Sequence, residues 1–381
     1  MKNEFSDIGK LTVPKGGLVE LVSPVFSPLH GLNKKLKNSF SAFWEKCYHE
    51  ENGMASFREN ASPDADEVVE TTACAMRIMF QLGDMERFKK VLENRKKFQK
   101  RIETRFSRKY MIYNGNDSQD KDRFSWRMHD DPWARKMLEL MSLKAKPFPS
   151  GMEGLRRFPW AFQHKGSLTR WLENCCSKGF RAGVKEISQY YYLYRRLMNV
   201  VLDEHGRKII SFLFSLRDNK TGFIGMDDDA GWAMRGHRNN ILVYTFNDIG
   251  LREPVEWQKK VMESTMALQK KDGLFHDGSM CANMDAVQVL AEYYLQTGLL
   301  RDEIINSIRK SIKGIFKLLS VGNGAFYFKT EQIPQKNKET SSPWHVSGTA
   351  FALEMIRFWQ AVDLNARKDL EKTLNEIGIE I

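Results

Sequence analysis

Apolar residues recur along the chain with the period of amphipathic helices, and polar loops rich in glycine interrupt them at regular distances. In six places such a loop runs into an apolar helix whose predicted start carries an alanine. These alanines are Ala73, Ala134, Ala182, Ala230, Ala286 and Ala350. The recurrence corresponds to one helix-loop-helix unit per repeat, and such units bury their apolar faces only by stacking on their neighbours.

The pattern predicts two kinds of helix in alternation. Outer helices, with Lys and Glu on one face, are predicted near residues 34–48, 84–107, 155–177, 203–217, 254–270 and 301–320. Inner helices, richer in apolar and aromatic residues, are predicted near 66–82, 131–144, 182–199, 229–248, 284–297 and 346–362, and a final helix near 364–378. Six such pairs can close into a ring, so the sequence predicts an all-α fold, an (α/α)6 toroid of six helical hairpins.

Domain organisation follows from the same pattern. Residues 33–381 are predicted to form a single toroid domain, because the repeat is continuous. Residues 1–32 carry prolines and glycines between apolar positions, which predicts an N-terminal arm that packs on the body. Most repeats place a glycine and then an aromatic residue after the outer helix, and Asp66, Asp131, Asp229 and Ser347 are predicted to cap inner helices. The six loops are therefore expected on one rim.

Composition narrows the class of protein. The net charge is +11, 42% of the residues are hydrophobic, and no apolar run is long enough to span a bilayer. The first residues lack the pattern of a signal peptide, so a cytoplasmic location is expected. Five cysteines without a C-x-x-C pair indicate neither a disulfide framework nor a zinc knuckle.

Much of the positive charge lies between Arg87 and Lys109. We interpret this stretch as the solvated face of an outer helix. No nucleic-acid partner is expected, because no known binding module accompanies the charge. An acidic ligand and peripheral contact with an anionic membrane remain open.

The loop that leads into the fourth inner helix is the densest in chemically capable residues, with Asp227, Asp228, Trp232, Arg235, His237 and Arg238. Adjacent carboxylates repel, which raises at least one pKa, whereas a helix N-terminus favours the anion. The cluster can therefore supply a protonated general acid, or stay ionised and hold Mg²⁺ or pair with the two arginines. A capped helix with surface acids is the structural alternative.

Two further loops are predicted to open on the same rim. One carries Trp126, His129 and Asp131 before the second inner helix, and the other carries Trp344 and His345 before the sixth. Each histidine can act as a base or ligand, or be a polar rim residue. Glycine-rich phosphate loops, Gly-x-Ser-x-Gly and His-Glu-x-x-His are absent, which disfavours nucleotide chemistry and serine hydrolysis.

The repeat resembles that of the terpenoid-cyclase and protein-prenyltransferase toroids over about residues 34–362. The stretches Thr72-Ala73-Cys74-Ala75-Met76-Arg77 and Met226-Asp227-Asp228-Asp229-Ala230 carry the likeness. In class II terpene cyclases the middle Asp of an Asp-x-Asp-Asp motif protonates an alkene or epoxide. The resemblance implies Asp227 as that acid, with Gly225 in place of the first Asp.

Protein prenyltransferases hold zinc with Asp-x-Cys and a later His. The matching residues here are Asp285-Ala286-Val287 and His345, which lack the thiolate. We therefore predict no zinc at these positions, and expect no metal and no cofactor.

Three functions fit the sequence. The first is an enzyme resembling class II terpenoid cyclases, an isomerase or lyase with acid-initiated chemistry on an isoprenoid-like or largely apolar small molecule in a central cavity. Asp227, Asp228 and His237 would be catalytic. The second is a carbohydrate-active toroid, a hydrolase, lyase or epimerase, whose basic cleft would suit anionic sugars such as uronic acids. The third is a toroid without catalysis that binds a lipid or a protein. The residues predicted to bind substrate are Trp126, His129, Asp131, Trp232, Arg235, Arg238, Trp344 and His345.

Overall fold

The computed structural model describes residues 34–56, 69–104, 106–107, 112–113, 131, 134–135, 137–146, 168–177, 179–225, 229–247, 250–320, 325–327 and 346–376. The helices with full bounds are α1 (Lys34–Glu45), α2 (Val69–Leu82), α3 (Met85–Glu93), α4 (Arg95–Glu103), α5 (Leu168–Cys176), α6 (Phe180–Met198), α7 (Glu204–Ser215), α8 (Ala230–Gly236), α9 (Val255–Ala267), α10 (Met280–Thr297), α11 (Arg301–Phe316), α12 (Val346–Val362) and α13 (Ala366–Glu376). A π-helix, His237–Asn247, continues α8 without a break. Residues 137–140 are helical in the second repeat.

The inner helices pack side by side in ring order. Helix α6 contacts α8 and its π-helical extension, these contact α10, α10 packs along α12, and α12 packs along α2. The sixth inner helix therefore lies against the first, which closes the ring on that side. The buried side chains of residues 134–141 join the same hydrophobic core. The all-α toroid predicted from the repeat is thus confirmed.

The outer helices cover the inner ones as the pattern predicts. Helix α9 packs on α10, α11 on α10 and α12, and α1 on α2. The bounds of most helices agree with the predicted ranges to within a few residues. The exception is the predicted helix over 84–107, which is two helices separated at Asn94. In the part of the chain that the structure describes, no helix is both long and apolar enough to cross a membrane. The predicted arm lies outside the described residues.

Within the described ranges, a short antiparallel hairpin follows the outer helix in five of the repeats. Strands β1 (Tyr48–His49) and β2 (Met54–Ala55), β3 (Phe106–Ser107) and β4 (Ile112–Tyr113), and β5 (Leu319–Ser320) and β6 (Ala325–Phe326) form three of them, and single bridges Arg217–Ile224 and Gln269–Phe275 form the other two. Gly222 and Gly273 take positive φ at two of the turns. In three of the hairpins the second strand carries a buried aromatic residue, namely Tyr113, Phe275 or Phe326.

One side chain of each following inner helix holds the hairpin in place. It accepts a hydrogen bond from a backbone N–H of the hairpin's second strand, and we call these five side chains the latch residues. The pairs, donor first, are Ala55 and Thr72 at 3.0 Å, Tyr113 and Asp131 at 2.9 Å, Ile224 and His237 at 3.3 Å, Phe275 and Asn283 at 2.9 Å, and Phe326 and Thr349 at 3.1 Å. These hydrogen bonds satisfy buried backbone donors.

The latch residues, rather than the alanines, mark equivalent positions of the repeats. The prediction that the inner helices open at the alanines is wrong for Ala73, Ala286 and Ala350, which lie four, six and four residues after the first residues of α2, α10 and α12. All three alanines are buried, and a small side chain lets the helices pack closely at these positions. The predicted cap Asp229 is confirmed, whereas Ser347 lies inside α12 and is buried. Asp66 lies outside the described residues.

Candidate functional site

Among the described residues, a group of polar side chains lies where the fourth and fifth inner helices begin. We call it the mouth, and it consists of Asp229, Trp232, Arg235, Arg238, His276 and Asp285. Helix α8 starts here because Asp229 accepts hydrogen bonds from the N–H groups of Gly231 (2.8 Å) and Trp232 (3.0 Å). Helix α10 starts nearby, where the hydroxyl of Ser279 caps it. Both helices thus present their first turns to the same place.

Asp285 binds two arginines of the neighbouring helix. Arg235 Nε lies 3.1 Å from its Oδ2, and Arg238 Nη1 lies 3.3 Å from its Oδ1. The Asp285 side chain is 3% exposed, so this ion pair is shielded from water. Removing either partner would leave an uncompensated charge in a poorly solvated place. The ion pair therefore fixes α8 against α10.

Arg238 is engaged on all three of its guanidinium nitrogens. Besides Asp285, it donates to Gln288 Oε1 through Nε (2.7 Å), to Asn239 Oδ1 through Nη1 (2.6 Å), and to the sulfur of Met284 through Nη2 (3.5 Å). Gln288 in turn donates to Glu292. These hydrogen bonds connect Arg238 with Gln288 and Glu292, which lie one turn apart on α10.

Trp232 and His276 form the outer edge of the mouth. The Arg235 guanidinium lies over the Trp232 ring at 4.5 Å, and the His276 ring meets its edge at 5.3 Å. His276 Nδ1 is 3.7 Å from Asp229 Oδ1, and its Nε2 is buried without a hydrogen-bond partner among the described residues. The backbone of His276 has a φ of 47°, a left-handed conformation that costs energy in a residue other than glycine.

One acidic side chain of the first repeat, Glu70, also acts on this place. Burial raises the pKa of the Cys281 thiol, and the charges of Asp285 and Glu70 raise it further, whereas Arg235 and Arg238 lower it. Since Glu70 lies in the first turn of α2, the start of the first inner helix is within electrostatic reach of the mouth. The thiol stays protonated and is not a nucleophile there.

His237, predicted to be catalytic, is fully buried below the mouth. Its Nδ1 accepts the N–H of Ile224, so Nε2 carries the proton and donates to Tyr293 Oη at 2.9 Å. Glu253 Oε1 is 3.6 Å from Nε2 and is itself bound by Arg217 through two hydrogen bonds. Burial lowers the pKa of His237 to about 4, against a raising effect of Glu253. The neutral ring thus has protein partners on both nitrogens, and the catalytic role stays a prediction.

Asp131, predicted to bind substrate, is also a latch residue. Its side chain accepts from the N–H of Tyr113 through Oδ1 and binds Arg135 Nε through Oδ2 at 2.8 Å. It is 1% exposed. The geometry thus gives both Asp131 and His237 a role in holding hairpins, and neither belongs to the mouth.

The structure brings together three of the residues predicted to bind substrate, namely Trp232, Arg235 and Arg238. Asp227, Asp228, Trp126, His129, Trp344 and His345 lie outside the described residues. Across the described ranges, no three His, Cys, Asp or Glu side chains lie close enough together to hold a metal ion. Asp285, compared above with a zinc ligand, uses its carboxylate for Arg235 and Arg238.

Sequence reasoning missed the row Asp285, Gln288 and Glu292 as part of the site. All three are buried in a helix of otherwise largely apolar residues. Their spacing of three and four residues places them on one helix face, and this was the available signal. Nothing in the sequence indicates the positive φ of His276, so its contact with Asp229 was not predictable.

No protein-family model matches this chain. No curated protein matches it either. Among solved structures, the chain is similar to the type II terpene cyclase MstE from Scytonema, in its apo form. The sequence identity is 13%, the TM-score is 0.41, and the match covers 87% of this chain and 98% of the cyclase.

Proposed function

We propose that this protein is an enzyme resembling class II terpenoid cyclases, in which a carboxylic acid of the Asp227–Asp228 pair protonates an isoprenoid-like substrate. The observation that carries the proposal is the charge balance of the mouth. Its two arginines, Arg235 and Arg238, are bound to Asp285, so they are not available to keep the Asp227–Asp228 pair ionised. These conditions favour a carboxyl group that keeps its proton.

The local electrostatics support a protonated acid in two ways. Glu70 and Asp285 influence the same thiol, and Asp229 directly follows the pair in the chain, so a further negative charge would be repelled. The first free N–H groups of α8 would favour an anion, but Asp229 already accepts from Gly231 and Trp232. Both effects would favour an Asp227 or Asp228 carboxyl group that keeps its proton.

The chemistry requires a proton donor and a site that resists water. An alkene or epoxide that receives a proton becomes a carbocation or an activated ring. It then cyclises by attack of neighbouring double bonds, and the last cation formed loses a proton to water or to a basic side chain. Under this proposal the ring of inner helices encloses the substrate, and aromatic side chains facing it stabilise positive charge. Asp227 is the proposed donor, with Asp228 as the second carboxyl.

The test is turnover by matched variants. Purified protein is incubated with prenyl diphosphates, squalene and its epoxide, and oligouronides, and products are identified by mass spectrometry. Asp227→Asn keeps the size of the side chain and removes the acid, so it is expected to abolish cyclisation while thermal stability stays near wild type. Asp302→Asn, at an exposed position on α11, is the control and should retain full activity.

Full activity of Asp227→Asn on the identified substrate would exclude Asp227 as the donor. A requirement for Mg²⁺, seen as loss of activity in EDTA and recovery on adding Mg²⁺, would favour an ionised, metal-binding cluster instead. Turnover of none of the isoprenoids would contradict the proposal.

A second candidate function rests on the polarity of the inner helices. Besides the row on α10, Glu354 of α12 is bound by Arg357 and, at 3.2 Å, by Gln81 of α2. An interior that carries carboxylates, amides and guanidinium groups suits a sugar better than a hydrocarbon. Turnover of oligouronides, without turnover of any isoprenoid, would support a carbohydrate-active toroid.

A further inference from the structure

The outer surface of the second repeat is strongly basic. Residues 85–103, which form α3 and α4, contain eight basic and three acidic residues. Val91, Phe98 and Ile102 are buried against the body, so the charges lie on the opposite side. We call the exposed set the basic face, and it consists of Lys89, Lys90, Arg95, Lys96, Lys97 and Lys100.

Few counter-charges neutralise the basic face. Lys90 pairs with Glu50 at 3.4 Å, and both side chains are more than half exposed. Lys97 donates to the backbone carbonyl of Glu50, and Arg95 to that of Leu92, which leaves their charges unbalanced. Such exposed contacts neutralise little charge in water.

On other surface helices, ion pairs within the helix balance part of the positive charge. Helix α7 carries the pair Lys208–Glu204, α9 carries Lys259–Glu263, and α13 carries Arg367–Glu371, each at the spacing of one helical turn. Within α3 and α4, the described ion pairs with a carboxylate are those of Lys90 and of Arg87. The excess charge is therefore a particular property of this face among these helices.

A cleft beside α3 extends the positive surface. It lies between α1 and the junction of α2 with α3, and its lining includes Lys34, Lys37 and Arg87 together with Asp84. Arg87 is paired with Asp84 and Glu45, whereas Lys34 and Lys37 bring additional positive charge to the edge. Met85, at the first position of α3, is 42% exposed. Cations and an exposed apolar side chain thus occur at the same edge.

We propose that the basic face docks this protein on an anionic lipid surface. Lysines on a broad helical surface attract a layer of lipid phosphates without requiring a defined partner geometry, and Met85 can enter the headgroup region. A nucleic acid is the less suitable polyanion, because arginine forks and stacking aromatic residues are the usual partners of phosphates and bases, and five of the six cations here are lysines. The inference is independent of the proposed function, because it concerns the outer surface and not the mouth.

The test is co-sedimentation with vesicles of phosphatidylcholine alone or with about 30% phosphatidylglycerol, which supplies the anionic surface. Binding is expected only to the anionic vesicles, and it should fall steeply when salt is raised from about 0.1 to 0.5 M. Each basic residue near the surface contributes about fivefold in affinity, so the triple variant K89Q/K96Q/K100Q should bind about a hundredfold more weakly.

The matched control is K259Q/K270Q/K271Q, which removes the same charge from exposed positions of the fifth repeat. It should bind anionic vesicles like wild type. Thermal melting of both variants checks that they fold, since all six lysines are exposed. Three results would overturn the proposal: no binding to anionic vesicles, equal loss in both variants, or tighter binding to a short DNA or RNA duplex than to the vesicles at the same salt.

Discussion

The imidazole of His276 packs directly on Gly231 at the first turn of α8. A Cβ atom placed on Gly231 would lie 2.0 Å from His276 Nδ1, which is far inside the contact distance. The glycine therefore lets a histidine of the fifth repeat sit against a helix of the fourth, beside the carboxylate of Asp229. This contact joins the two repeats that form the mouth.

Gly231→Ala is expected to destabilise the protein by about 1–3 kcal/mol, because the methyl group forces the imidazole out of place. His276→Gly should rescue it, since it removes the clash and relieves the positive φ of residue 276. Urea denaturation of the two single variants and the double variant measures the coupling. Additive effects of the two substitutions would contradict this account of the contact.

The stability of the protein should depend on pH through His237. Its pKa is about 4 in the folded protein and about 6.5 when unfolded, so the unfolded chain binds more protons between these values. The part of the free energy of unfolding that depends on the neutral His237 ring is fully present above about pH 6.5. It is lost as the pH falls, by about 2 kcal/mol at pH 5. Urea midpoints at pH 7.5 and pH 5 measure it.

The control for this prediction is His237→Asn, because Asn283 already serves as the latch residue of the fifth repeat. The variant keeps an acceptor for the N–H of Ile224 and lacks the titrating ring. Its stability should change less between the two pH values than that of wild type. An equal change in both proteins would show that other groups carry the pH dependence.

Asp131 is expected to act on stability rather than on ligand affinity. Asp131→Ala leaves the N–H of Tyr113 and the Arg135 guanidinium without their partner and should cost about 2–4 kcal/mol. Asp131→Asn keeps an acceptor for Tyr113 and should cost less. If Asp131→Ala instead melts like wild type and raises the KM for an identified substrate, the substrate-binding prediction is correct and the latch role is minor.

Asp285 should tune the acid of the proposed function. Asp285→Asn frees Arg235 and Arg238 from their carboxylate, and under that proposal the freed charge favours the ionised form of Asp227 or Asp228. Because the proposed acid acts protonated, the decline of activity at high pH should move to lower pH by about one unit or more. The measurement is a pH profile of kcat with any substrate found in the screen.

Asp363→Asn is the matched control for Asp285→Asn. Asp363 is also buried and bound by an arginine, Arg309 at 3.0 Å, but it lies beyond the end of α12. Both variants should lose stability, and only Asp285→Asn should shift the pH profile. A shift of equal size in both would point to a general effect of instability.

The sequence by itself determined the order and kind of the helices. Outer and inner helices differ in the polarity of their exposed faces, and the local periodicity of apolar residues shows this difference. The alternation of the two kinds of helix and most helix bounds were therefore predictable. The cap Asp229 was predictable for the same reason, since a capping side chain acts on its own helix. The glycine and aromatic pairs likewise indicated the turns and the buried side chains below them.

Only the tertiary structure decided what the polar residues do. Asp131 and His237 look like site residues in the sequence, because a carboxylate or an imidazole can serve either as a catalytic group or as a buried hydrogen-bond acceptor. The hairpin N–H groups of Tyr113 and Ile224, more than ten residues earlier in the chain, give them a structural partner. Asp285 gained its two arginines in the same way, across 50 and 47 residues of chain. Such partners meet only when repeats stack, because a hydrogen bond between helices depends on packing and not on local sequence.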